Sequence, residues 1–233
     1  PLKWSKILKS TAVWAVVFAK STSSFGYYLI SNQLPLYLES ALNVNITENV
    51  YSISLYSSGN LAEYINSKQI LSVTNVRKIF QAFAAIGPMV CLLLVPLSGC
   101  NKQYIVGLII ASMFLSGFCG GGELQIVTEF APAYSGTVFG FANCFGGVTG
   151  ILAPLLVGLL LDQNVHDRQN WNLVFYISAA LYAFGALVFV VFATAKPTKW
   201  GSSKCDTDKC DVKTDKQRVI DDQILDRKVK IFK

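Results

Sequence analysis

Long apolar runs broken by short polar stretches dominate the chain. Positions 79–97, 104–118 (running on toward Val127) and 173–195 are almost wholly apolar, and 136–161 carries no charged residue. A bilayer core about 30 Å thick needs about 20 apolar residues as a helix, and each run supplies them. Hydrocarbon offers no partner for a free backbone N–H or C=O, so the runs are expected to be helices. Four of them in 233 residues predict an all-α membrane protein in place of a soluble core.

Two further segments are less regular. Positions 11–34 open on Trp14-Ala-Val-Val-Phe-Ala, turn polar and aromatic through Lys20–Tyr28, and stop before Pro35, which cannot donate to a preceding turn. Positions 50–65 would rise only about 24 Å as a helix, and Ser52, Ser54, Ser57, Ser58 and Asn60 dilute their apolar character. Loop charge decides whether they cross. With six spans and a cytoplasmic N-terminus, seventeen of the twenty Lys and Arg residues lie on the cytoplasmic side, two opposite, and Lys20 within a span. Five spans give a weaker bias, so the positive-inside rule selects six, at about 11–34, 50–65, 79–97, 104–126, 136–161 and 173–195. The remaining 196–233 is rich in Lys and Asp, which predicts a disordered cytoplasmic tail.

Composition agrees: 52% of residues are hydrophobic and 15% charged. The net charge of +6 follows from topology and calls for no nucleic-acid partner. The chain begins at Pro1 with no signal-peptide pattern, and is read as a fragment lacking an N-terminal portion. Cys91, Cys119 and Cys144 fall in apolar runs, where a thiol acts as a small hydrophobe. Cys205 and Cys210 supply too few ligands for a metal, and His166 sits alone in a polar loop. There is no nucleophile–base set, phosphate-binding loop or metal cluster. The chain is therefore read as a non-enzyme, with no catalytic residue, cofactor or metal.

The anomaly is Lys20. It lies about 14 Å into the first span, near the bilayer midplane, where a charge costs at least about 2.5–3.5 kcal/mol and usually faces a cavity or a partner. Lys20, Ser24, Tyr27 and Tyr28 share one helical face by i, i+4, i+7, i+8 spacing. One fixed cation with hydroxyl donors and aromatic walls suits a carboxylate or phosphate. The alternatives are snorkelling to an interface or pairing with an acid in a missing half. Glu123, behind Gly120-Gly121-Gly122, is expected within one or two turns of the cytoplasmic surface, as a solvated or gating residue, Lys20's partner or a coupling group. Gly136/Gly140 and Gly146/Gly150 predict tight helix packing, with Asn143 lining a cavity or bonding between helices. Asn45-Ile-Thr47 is a glycosylation sequon on the non-cytoplasmic side of this topology.

Several stretches then recur in a familiar order: Trp14-Ala, Phe25–Tyr28, Leu34-Pro35-Leu36-Tyr37, Ser72–Lys78, Ala131-Pro132 with Tyr134-Ser135-Gly136, and Trp171–Tyr176. Together they resemble the second half of the anion–cation symporter family of the major facilitator superfamily, from Trp4 to Trp200. The resemblance implies a C-terminal six-helix half, a central site shared with a missing N-terminal half, and alternating access. It also marks departures. About ten apolar residues of the second span are missing between Tyr51 and Gly59, so that helix is read as truncated. A histidine used by some members is Val127 here, and an arginine in the first span aligns with Ser23, leaving Lys20 nearly one turn earlier to supply the charge. The stretch 59–63 with Arg77-Lys78 resembles a cytoplasmic gate, with Glu63 and Arg77 as partners. The expected function is ion-coupled transport of organic anions or inorganic phosphate, with Na+ or H+ as coupling ion, across the plasma membrane or an endolysosomal or vesicle membrane. The alternative is a truncated, non-transporting membrane chain that associates with or regulates a full-length transporter.

Overall fold

A computed structural model describes residues 4–33, 44–69, 71–98, 102–161, 168–198 and 200–201. Among these residues there are helices and no strand. A short helix α1 (Trp4–Leu8) leads into α2 (Thr11–Tyr28), which continues through a wider π-type turn, Leu29–Gln33. There follow α3 (Val44–Ser67), α4 (Val73–Leu97), α5 (Lys102–Ser116), α6 (Glu123–Phe130), α7 (Ser135–Leu161) and α8 (Arg168–Phe192). Single 3-10 turns, Gly117–Gly120 and Pro132–Tyr134, precede α6 and α7. His166, Cys205, Cys210 and positions 202–233 of the expected tail lie outside the described residues.

Among the described residues four helical stretches are long and apolar enough to cross a membrane: Val73–Leu97, Gln103–Phe130, Pro132–Leu160 and Asn170–Phe192. The third expected span starts earlier than position 79 because Ser72 caps it, its hydroxyl accepting from the Asn75 N–H at 3.4 Å. The second, read as 50–65, lies inside a 24-residue helix, about 36 Å long. Asn45 falls in the first turn of that helix.

The serines that thin the apolar character of α3 are donors between helices. Ser54 and Ser58 are buried and donate to the carbonyls of Phe114 (2.5 Å) and Gly117 (2.9 Å). Such bonds hold helices together where lipid supplies no hydrophobic drive. Close approach makes them possible. A side chain at Gly120 would run into the carbonyl oxygen of Leu55, so the 3-10 turn rests against the α3 backbone.

Two apolar cores bracket the middle of the bundle. One gathers Phe25, Leu29, Leu92, Met113, Trp171 and Phe175; the other Val13, Val16, Ile126, Phe130, Val138 and Phe189. The former takes the late part of α2 and the early part of α8, the latter the reverse, so they occupy opposite ends. Beyond α8 the chain folds back as far as Gly201. Thr198 donates through N–H and hydroxyl to the Phe130 carbonyl (2.9 Å each), and the Ala133 N–H donates to the Gly201 carbonyl at 2.9 Å. The start of the expected disordered tail is thus docked on the α6–α7 corner.

Ser58→Ala is expected to cost about 0.6 kcal/mol, whereas Gly120→Leu, which forces α3 off the 3-10 turn, abolishes the folded peak in size-exclusion chromatography. Thermal stability in detergent measures the first effect.

Candidate functional site: a polar cavity at mid-depth

Between the two apolar ends lies a cavity of about 320 Å³. Lys20, Ser24, Tyr27 and Tyr28 line it from α2 and Asn143 from α7, so the structure brings together all five residues singled out for substrate contact. Tyr51 of α3, Cys119 and Glu123 also line it, with Ser23, Ser116, Gly146 and Gly147. The helical spacing on α2 accounts for the first four, one face of a continuous helix.

Gly146 and Gly150 are where α7 meets that face: side chains there would touch Ser24 and Tyr28. Gly136 and Gly140 instead face open space among the described residues, contrary to the expected close packing. The aromatic wall is continuous, with Tyr27 4.9 Å from Tyr51 and 5.9 Å from Tyr28, centroid to centroid. The Tyr51 hydroxyl lies 3.5 Å from the Cys119 thiol.

Glu123 is not a solvated residue near the surface. Its side chain is 1% exposed, and its Oε1 lies 3.9 Å from the Lys20 Nζ, whose side chain is 21% exposed. The reason is the broken helix. α5 ends at Ser116, the glycine-rich stretch 117–122 bends the chain, and α6 restarts with Glu123 as its first residue, facing the cavity. Gln81, buried on α4, holds the carboxylate in place. Its amide donates to Glu123 Oε2 at 3.2 Å, and its carbonyl accepts the Glu123 backbone N–H at 3.1 Å. Lys20 also lies 5.8 Å from the Phe139 ring centroid, within cation–π range. Among the described residues no cluster of His, Cys, Asp and Glu could hold a metal.

The expected gate pair is present only at its edge. Arg77 is buried, and Glu63, 73% exposed, lies 4.0 Å from it. The nearer partner is Glu129, which accepts from Arg77 Nε at 2.9 Å, and the guanidinium also donates to Gln125 Oε1 and to the Gly121 carbonyl at 3.2 Å. The sequence reading missed Glu129 and Gln81. Their signals were present: Gln125 and Glu129 stand four apart on one helix face, and Gln81 is an amide inside an apolar span. Breaking a buried ion pair from one side costs about 3–5 kcal/mol, and an exposed pair about 0–1 kcal/mol. Glu129→Ala is therefore expected to lower detergent thermostability strongly and Glu63→Ala hardly at all.

The chain matches known proteins over most of its length. A family model described as the Major Facilitator Superfamily matches residues 1–154 and 84–209. Human "Sialin" is 32% identical over 206 residues, 84% of this chain and 41% of that protein. "Probable anion transporter 6, chloroplastic" of Arabidopsis thaliana is 30% identical, covering 84% and 39%. "Vesicular glutamate transporter 2" of Bos taurus is 27% identical, covering 89% and 37%. The chain spans about two fifths of the length of these relatives.

Proposed function

The chain belongs to the anion–cation symporter family of the Major Facilitator Superfamily, and from that premise we propose that it is the C-terminal six-helix half of a secondary transporter of small anions. As a member of this family it is an integral, multi-pass membrane protein. The observation that carries the reading is a lysine ammonium on a hydroxyl- and tyrosine-lined cavity midway along the bundle. Lys20 holds the substrate's charge, while Ser24, Tyr27, Tyr28 and Asn143 shape the site and supply hydrogen bonds. Relatives named as anion transporters support an anionic solute.

Charge balance supports ion coupling. With both ionised, Lys20 and Glu123 together are neutral, so an entering anion leaves one uncompensated negative charge at mid-depth in an apolar bundle. An uncompensated charge is expensive in such a place. Entry of H+ or Na+ with the anion, taken up at Glu123, restores neutrality. Arg77, with Glu129 and Glu63, latches the cytoplasmic ends of α3, α4 and α6 and releases them in the alternating-access cycle.

Substrates of such a site lie between two halves, and α7 fits that arrangement. Ile151, Leu155 and Leu159 are exposed along it, and Gly140 and Gly147 face open space among the described residues. The complementary N-terminal half covers this face. Cytoplasmic ends place Asn45 on the other side of a plasma, endolysosomal or vesicle membrane. The second reading is a non-transporting chain that associates with or regulates a full-length transporter.

Uptake of labelled organic anions and of inorganic phosphate separates these readings when liposomes holding the full-length transporter are compared with liposomes that also hold this chain as a separate polypeptide, which changes uptake only under the second. Lys20→Ala is expected to weaken apparent affinity about 10- to 100-fold, as loss of a hydrogen bond to a charged group requires. Unchanged uptake and affinity in a folded Lys20→Ala protein would sink the role given to Lys20.

A further inference from the structure

Glu123 has two carboxylate oxygens with different surroundings. Oε2 accepts from the Gln81 amide at 3.2 Å. Oε1 is buried, has no partner in hydrogen-bond geometry among the described residues and lies 3.9 Å from Lys20 Nζ, and the Ser23 hydroxyl also approaches the carboxylate. The Gln81 amide has one orientation that works. Its NH2 must face the carboxylate and its oxygen the Glu123 N–H, since the flipped amide sets oxygen against oxygen and N–H against N–H.

We propose that Gln81 is the positioning residue that engages Glu123 Oε2 and so reserves Oε1 for Lys20 and the coupling ion. The inference rests on the transport reading above. One side chain of α4 does two tasks. It satisfies the first N–H of α6, which has no partner within its own helix. It also occupies one of the two carboxylate oxygens, Oε2. The other titratable groups facing Glu123 are Lys20 from α2, Tyr51 from α3, Cys119 from the 3-10 turn and Tyr182 from α8, while Arg77 reaches the same bend at the Gly121 carbonyl. Among the described residues lining the cavity Lys20 is the cation, so the bracket leaves Oε1 directed at it.

Gly122 keeps the bracket tight. A side chain there would meet Gln81 Oε1 at 2.6 Å and the Gln81 backbone nitrogen at 2.9 Å. Gly122→Ala therefore displaces Gln81 without changing its chemistry and is expected to reproduce the phenotype of Gln81→Leu.

The test compares wild type, Gln81→Leu, Gly122→Ala and Glu123→Gln in the full-length transporter reconstituted in liposomes, with initial anion uptake measured against pH and against Na+. Losing a donor to a carboxylate makes it hold its proton more tightly, by about one pH unit. For a proton-coupled transporter the uptake profile of Gln81→Leu and Gly122→Ala is expected to move by about that much toward alkaline pH. The saturating rate should fall less than the profile shifts, and Glu123→Gln should lose the pH response. For a sodium-coupled one the half-saturating Na+ concentration changes instead. A folded Gln81→Leu protein with wild-type pH and Na+ profiles overturns the proposal.

An acid-induced infrared difference spectrum provides a readout that needs no transport. The carboxyl band lost in Glu123→Gln should move to higher frequency in Gln81→Leu, and an unmoved band overturns the proposal on its own. Wild-type liposomes that take up no anion, with the band shift present, would reject the transport reading and leave Gln81's positioning role standing. Should Gln81→Leu fail to fold, Gln81→Met, a neutral side chain of similar length without the amide, takes its place in both measurements.

Discussion

A buried carboxylate faces a lysine ammonium across the middle of an apolar helical bundle. Neither charge is stable there alone. Lys20 at mid-depth costs at least about 2.5–3.5 kcal/mol, and Glu123, at 1% exposure, has almost no water to solvate it. Their pairing at 3.9 Å is looser than a close ion pair, so each retains capacity for a further partner. The cavity exists around that unmet demand. Tyr27, Tyr28 and Tyr51 wall it with rings and hydroxyls, and the apolar clusters at either end restrict it to the middle of the helices.

Bringing an acid from the fourth span to this depth requires a broken helix. A straight helix from Lys102 to Phe130 would satisfy its own backbone and present a uniform surface. The bend at 117–122 exposes backbone groups at the bundle's centre; the Gly121 and Gly122 N–H groups are met within the turn, by the Phe118 and Cys119 carbonyls, and others are met by neighbouring helices. Ser58 takes the Gly117 carbonyl, Arg77 the Gly121 carbonyl and Gln81 the Glu123 N–H. Irregular backbone is tolerated in membranes where it is buried in protein or lines a cavity, and this bend does both. The polar residues of α3 and α4 are therefore the bend's hydrogen-bonding complement.

Arg77 links the bend to the end of the bundle. The same guanidinium that holds the Gly121 carbonyl binds Glu129, two turns further along α6. Phe130 beside it accepts from Thr198, and Trp200 packs against Phe130 and Tyr134. The packing at this corner thus connects the segment after α8 to the helix that starts at the cavity. A rearrangement at either place is transmitted through α6, a helix of eight residues.

Sequence alone determined the helices, because lipid leaves the backbone no other choice and the apolar runs have bilayer length. It also determined one wall of the cavity, since residues spaced i, i+4, i+7, i+8 on α2 must share a face whatever surrounds it. Asn143 could be placed on a span but not aimed. Tertiary structure decided everything that depends on how one helix meets another. Glu123 looked shallow when its span was read as continuous; the glycine bend and the restart of α6 carried it into the core beside Lys20. Gln81 and Glu129 had no local pattern that named their partners, 42 and 52 residues away along the chain. Helical periodicity fixes direction around one axis, while the Gln81 amide that meets Glu123 Oε2 comes from another helix.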